Sequence, residues 1–173
     1  MKIYTRTGDT GNTQVYATQT LRVSKDDILL DTYGDIDELN SHVGLLVCLL
    51  GEDHEERPFL EGIQRTLFQA GFAISASSTL TPDDVTTLEK AIDTHSENLP
   101  APTQFLLPGG CQAAAQCHIA RTVCRRAERT VTRLAGHHTV PEAVMAYLNR
   151  LSDYLYTLAR TLNAQAGITP APV

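Results

Sequence analysis

The chain has 173 residues, room for one compact domain with a core of its own and too little for two. Hydrophobic residues make up 42% and charged residues 20%, a balance that excludes gross disorder. Against 14 Lys+Arg stand 20 Asp+Glu, and the net charge of −6 argues against general nucleic-acid binding.

No apolar run approaches the roughly 20 residues that a membrane span needs. The longest, Leu45–Leu50, ends at Gly51-Glu52-Asp53. The stretch Met1–Asp9 has no signal-peptide apolar segment and too little Arg and Ser for a transit peptide, so a soluble, cytoplasmic chain is expected. Cys48, Cys111, Cys117 and Cys124 form no CxxC pair and read as reduced thiols. Cys117 and Cys124 are seven apart and share one helix face, as core residues would. His118 beside Cys117 points to another face, and the metal content of the chain is left unknown.

Residues 1–26 have no hydrophobic period and are rich in Thr and Gly, which predicts an irregular N-terminal arm. From Asp35 the pattern is helical. The first helix is expected to open there and to carry Ile36, Leu39, Val43, Leu46, Val47 and Leu50, with Gly51 stopping it. In that register Asp35, Asp37 and Glu38 sit near a helix start, where carboxylates favour the dipole. A second helix follows Pro58 through Leu60, Ile63, Leu67, Ala70 and Ile74. Thr81-Pro82-Asp83-Asp84 supplies a cap, a first-turn proline and two acids for a third helix, which fades before Pro100. Phe105-Leu106-Leu107-Pro108-Gly109-Gly110 forbids a continuing helix. The fourth runs from about Cys111 to Leu134 and the fifth from Val140-Pro141-Glu142 through Leu162. The expected fold is all-α, one domain over 1–173, with the arm at 1–26 and an up-and-down five-helix bundle over 35–166 built on a four-helix core.

Five of the eleven arginines lie between 121 and 133. Arg121, Arg125, Arg129 and Arg133 are spaced by four and form a stripe along one helix. Like charges at that spacing destabilise a helix by roughly 0.2–0.5 kcal/mol per pair. Only Glu128 lies among them, so the stripe wants anions from elsewhere: carboxylates of a neighbouring helix or subunit, or a polyphosphate held by paired guanidinium hydrogen bonds. A solvated basic face is the plain alternative.

Thr7-Gly8-Asp9-Thr10-Gly11-Asn12-Thr13 combines glycines, which let backbone N–H groups approach a ligand, with hydroxyl donors, and Arg6 and Lys25 flank it. It lacks the spacing of a Walker A loop and also reads as an ordinary turn. In Tyr147–Leu155, Asn149 and Asp153 share a face beside Arg150 and Ser152, either as a buried network or as the wall of a polar pocket. No Ser/His/Asp arrangement is legible, so nucleophilic hydrolysis has no support.

Four blocks resemble the PduO-type ATP:cob(I)alamin adenosyltransferases: Ile3–Gly11, Tyr33–Ser41, Phe105–Arg129 and Tyr147–Leu155, in the family's order and spacing. The resemblance implies a homotrimeric five-helix bundle with active sites between subunits. It also implies transfer of the 5′-deoxyadenosyl group of ATP, accompanied by Mg2+, to cob(I)alamin, giving adenosylcobalamin and triphosphate. By the same resemblance Thr5, Arg6, Thr7, Gly8, Thr13, Gln14 and Lys25 bind ATP from the arm. Arg125, Arg126, Ala127, Glu128 and Arg129 form a second ATP-binding segment, with Asn149 as the contact from the last helix, and Arg125, Arg129 and Asn149 are the catalytic candidates. Asp37 and Arg121 match a salt bridge across the subunit interface, and Phe105 an aromatic on the corrinoid side. A cobalamin reductase and an adenosylcobalamin-dependent acceptor enzyme are the implied partners. Thr10 departs from the family's frequent Lys, and Thr13-Gln14 from its Ser/Thr pair. Nothing transfers to 135–141 or to the tail Pro170-Ala171-Pro172. Two other classes fit the bare residues: a non-catalytic nucleotide or polyphosphate sensor, and a structural helical interaction protein.

Overall fold

In the computed structural model, residues 2–4, 6–15, 21–101 and 103–173 are described, residue 21 by its backbone alone. The helices are α1 (Ile28–Leu50), α2 (Arg57–Ser75), α3 (Pro82–Glu97), α4 (Gln112–Ala135) and α5 (Glu142–Gln165). α1 packs on α2 and α4, α4 on α5, and α5 on α3. The Tyr154 ring of α5 meets Phe59 of α2 edge-on at 5.2 Å, which ties the second helix to the fifth. The expected five-helix bundle is therefore the fold.

Most boundaries follow local chemistry. Gly51 ends α1 at φ 83°, a conformation glycine adopts without the Cβ penalty. Thr81 and Asp84 form a capping box at α3, with the Thr81 amide donating to Asp84 Oδ2 at 2.8 Å. Along α5, Leu148, Leu151, Leu155 and Leu158 are all fully buried, each worth about 1.5–3 kcal/mol. Cys117 and Cys124 are buried on the core face of α4 as their spacing predicts. Asn40 and Gln64 exchange side-chain hydrogen bonds with each other's backbone carbonyls at 3.2 Å, which fixes the register of α1 against α2.

Two expectations need correction. α1 begins at Ile28, seven residues before Asp35, because the Asp27 carboxylate caps the Leu29 amide at 2.8 Å and Gly34 is carried inside the helix. Asp35, Asp37 and Glu38 are therefore mid-helix groups, and the first-turn acid is Asp31. The arm is also more regular than its composition suggests. β1 (Asn12–Val15) and β2 (Leu21–Ser24) pair antiparallel, with Asn12 opposite Ser24 and Gln14 opposite Arg22. Four-residue strands are too short to show a period against a Thr/Gly background.

Candidate active site

The hairpin brings the arm's glycines and its lysine together. The Lys25 amide donates to Gly11 O at 2.9 Å, and the Gly11 amide to Gly8 O at 3.3 Å. The Lys25 ammonium nitrogen lies 3.4 Å from where a Cβ on Gly8 would stand, so any side chain at position 8 would crowd that cation. Arg6 is the one described non-glycine residue at positive φ, 61°, and its guanidinium lies 5.6 Å from the Tyr4 ring centroid. Thr7 and Gln14 are exposed and Thr13 half-buried on the same hairpin, whereas Thr5 lies outside the described residues. Neither Arg6 nor Lys25 makes an ion pair among the described residues.

The second group sits on α4 and α5. Arg125 and Arg129, one turn apart, are exposed and make no ion pair with any described carboxylate. Their neighbour Arg126 points elsewhere: its Nε donates to Asp35 Oδ1 at 3.0 Å and its Nη2 to Glu38 Oε2, both on α1. Thr130 donates to the other Asp35 oxygen at 2.6 Å and accepts from Arg133 Nη2 at 3.2 Å. Of the sequence-predicted segment 125–129, then, Arg125 and Arg129 offer uncommitted head groups. Arg126 is held by α1, and the Ala127 side chain is wholly buried. Glu128 accepts from Asn149 Nδ2 at 3.0 Å, which places the Asn149 amide of α5 beside the two free arginines. Arg150 turns away to Glu89 of α3 and to Asp153.

Two further predicted groups are incomplete within one chain. Among the described residues, Asp37, exposed on α1, makes no ion pair, and Arg121 on α4 has a buried Nε with no hydrogen-bond partner. The Arg121 charge and burial together hold the adjacent His118 imidazole below its ordinary pKa, burial being the larger cause. Phe105 stands 86% exposed on the loop before α4. That loop is paired with the C-terminal tail, to which the sequence assigned nothing: the Leu107 amide donates to Ala171 O and the Val173 amide to Phe105 O, each at 2.9 Å.

The arrangement sets cations and amides where an anion could be received, and among the described residues no carboxylate or imidazole pairs with Arg125, Arg129, Arg6 or Lys25. A family profile described as "Cobalamin adenosyltransferase" matches residues 3–162. The chain belongs to the cobalamin adenosyltransferase family. It is 42% identical to a corrinoid adenosyltransferase of Bacillus subtilis, over 97% of this chain and 90% of that one. It is 43% identical to a cobalamin adenosyltransferase of Cupriavidus metallidurans, over 96% and 90%. Against the Salmonella typhimurium protein named corrinoid adenosyltransferase PduO it is 40% identical, spanning 96% of this chain and 51% of that longer one. Among solved structures, a variant PduO-type ATP:corrinoid adenosyltransferase from Lactobacillus reuteri complexed with cobalamin and ATP superposes with a TM-score of 0.90 at 33% identity, covering 99% of this chain and 96% of that one.

The residues that sequence reasoning missed are those whose partners are remote. Asp35 and Glu38 were read as dipole-favouring acids but serve as the clamp for Arg126, some 90 residues on. Asn163 was not singled out, although a polar residue directly after Leu162 on the apolar face of α5 was a signal that could have found it.

Proposed function

We propose that this chain transfers the 5′-deoxyadenosyl group of ATP to cob(I)alamin, releasing triphosphate and forming adenosylcobalamin. The observation that carries the reading is the pairing pattern of α4, where Arg126 is consumed by α1 while Arg125 and Arg129 on the same helix form no ion pair among the described residues. In the reaction the electron pair of cob(I)alamin forms a cobalt–carbon bond to C5′. The C5′–oxygen bond breaks, and its electrons leave on triphosphate. Nothing needs to be protonated, which suits a site of cations without a poised acid or base. The protein's work is alignment and stabilisation of the leaving group's growing charge. Arg125, Arg129 and Asn149 would meet the phosphates from one side. Arg6, Lys25 and the amides around Gly8 would meet them from the other, with Thr5, Thr7, Thr13 and Gln14 as hydroxyl and amide donors. Magnesium enters as part of the nucleotide substrate, and Phe105 faces the corrinoid.

The working unit of this reading is a homotrimer. An apolar cleft of about 190 Å³ runs between α1 and α2, lined by Tyr33, Ile36, Asp37, Asn40, Phe68 and Phe72. Phe68 and Phe72 lie 57% and 50% exposed, a surface that favours burial against another subunit. The unsatisfied Arg121 Nε and the unpaired Asp37 fit a salt bridge made between copies. No described helix is long and apolar enough to cross a membrane. The four cysteines stand as free thiols, which supports a reducing, cytoplasmic setting. A reductase would have to supply cob(I)alamin, and an enzyme that uses adenosylcobalamin would take the product.

Anaerobic incubation with ATP and chemically reduced cobalamin tests the reaction. Loss of the cob(I)alamin spectrum together with stoichiometric triphosphate is the expected result. ATP binding without either change would make the protein a nucleotide sensor.

A further inference from the structure

The loop that carries Phe105 is fixed at both ends by hydrogen bonds that lead back to one residue, Asn163. Asn163 of α5 is buried, with 2% of its surface exposed, next to Leu162 and one turn beyond the fully buried Ala159. Its Nδ2 donates to Gly109 O at 2.9 Å, and its Oδ1 accepts from the Cys111 amide at 3.0 Å. The amide thus straddles Gly110, which sits at φ 111°, and a Cβ there would lie 1.9 Å from Asn163 Oδ1. Cys111 is the N-cap of α4 and gives no side-chain cap of its own, so this turn sets where the loop leaves the helix. The backbone of Asn163 governs the other end. Its carbonyl accepts from the Ile168 amide at 2.8 Å, which turns the chain out of α5 into the tail that pairs with Phe105 and Leu107.

We infer that Asn163 is a positioning residue for the corrinoid, acting through the Pro108–Cys111 turn and the paired tail to hold the exposed Phe105 ring at a fixed height above α4. The inference rests on the reading of Phe105 as the corrinoid-side aromatic. A side-chain amide offers a donor and an acceptor to the two sides of Gly110 at once: a carboxylate there would repel Gly109 O, and an aliphatic group would leave a buried carbonyl and amide without partners.

The test is a cycle of Asn163→Ala, Phe105→Ala and the double variant, reading KM for cob(I)alamin and for ATP separately. Asn163→Ala is expected to raise the corrinoid KM about tenfold while leaving the ATP KM within about twofold. In the Phe105→Ala background it should add nothing, because there is no ring left to place. Val173→Pro repeats the cycle without touching the core: it removes the amide that donates to Phe105 O, and a two- to threefold rise in corrinoid KM alone is expected. Equal effects on both substrates, or effects that persist undiminished without Phe105, would overturn the inference. A Phe105→Ala enzyme with unaltered corrinoid KM would overturn it too, by removing the corrinoid-side reading of Phe105. Activity of the wild-type enzyme on ATP and cob(I)alamin tests the transfer reaction independently of all three variants.

Discussion

Two polar clusters join helices in this molecule, and they are finished to different degrees. At one end, Glu56 before α2 accepts from Tyr154 of α5 at 2.7 Å and pairs with His95 of α3 at 3.1 Å, with both ionisable side chains mostly buried. Every member has its partner, and three helices are held by one carboxylate. Along α4, Arg125 and Arg129 face solvent and pair with no described acid, Glu128 between them being taken by Asn149, while Asp35 and Glu38 take Arg126 between them. A cluster that closes on itself explains its own presence by the stability it adds. One that leaves like charges unpaired costs stability and asks for a partner from outside, and that asymmetry is the physical ground for proposing that triphosphate binds at α4.

The sharpest test of the contrast is to remove adjacent arginines one at a time. Arg125→Ala is expected to lower turnover at saturating ATP about a hundredfold, near 2.7 kcal/mol of transition-state stabilisation. It should leave the melting temperature unchanged or slightly raised, since a like-charge neighbour at four residues is gone. Arg126→Ala should do the reverse in kind. It breaks a half-exposed ion pair worth less than about 1 kcal/mol of stability and spares most of the turnover. Equal kinetic damage from both would show that pairing does not separate ligand-binding arginines from structural ones.

The closed cluster makes the opposite prediction. Burial works to raise the Glu56 pKa, but hydrogen bonds from His95 and Tyr154, with the nearby His95 and His54 charges, hold it net below the usual glutamate range. A depressed carboxylate contributes stability above its unfolded pKa and loses it as pH falls through the folded one. Glu56→Gln should therefore cost about 2 kcal/mol at neutral pH, roughly 4–8 °C in melting temperature. The gap to wild type should close as pH drops below the ordinary glutamate range. Turnover per folded molecule should stay at the wild-type value. A gap that persists in acid would mean that packing rather than charge gives the cluster its worth.

The same contrast explains what could be read from the sequence. Helix cores and most caps were legible because their determinants are local: the three-and-four spacing of α5, Pro58, the Thr81–Asp84 box and Gly51. The start of α1 was not: its cap, Asp27, stands eight residues before Asp35, and Gly34 is carried inside the helix. The stripe of arginines was visible, but which arginine is spent inside the protein depends on acids some 90 residues away. The Glu56–His95–Tyr154 cluster and the partners of Asn163 were out of reach for that reason, lying 98 residues apart in one case and 54 and 52 in the other. The roles of the arm, whose composition alone reads as a turn, came from the resemblance.

Arg121 is a third condition between closed and open. Its Nε is shielded from water like the closed cluster but has no hydrogen-bond partner among the described residues, a costly state for part of a charged group. A nucleotide cannot supply that partner if Arg121 pairs with Asp37 of another copy. Asp37→Ala should then weaken subunit association about tenfold, 1.4 kcal/mol, seen as dissociation in sedimentation at low protein concentration. Asp37→Asn, which keeps an acceptor but not the charge, should fall between that variant and wild type. Activity should recover at high protein concentration in both, because the substitution empties no phosphate contact. If sedimentation is unaltered while activity falls, Asp37 acts on substrate and Arg121 belongs with the open arginines after all.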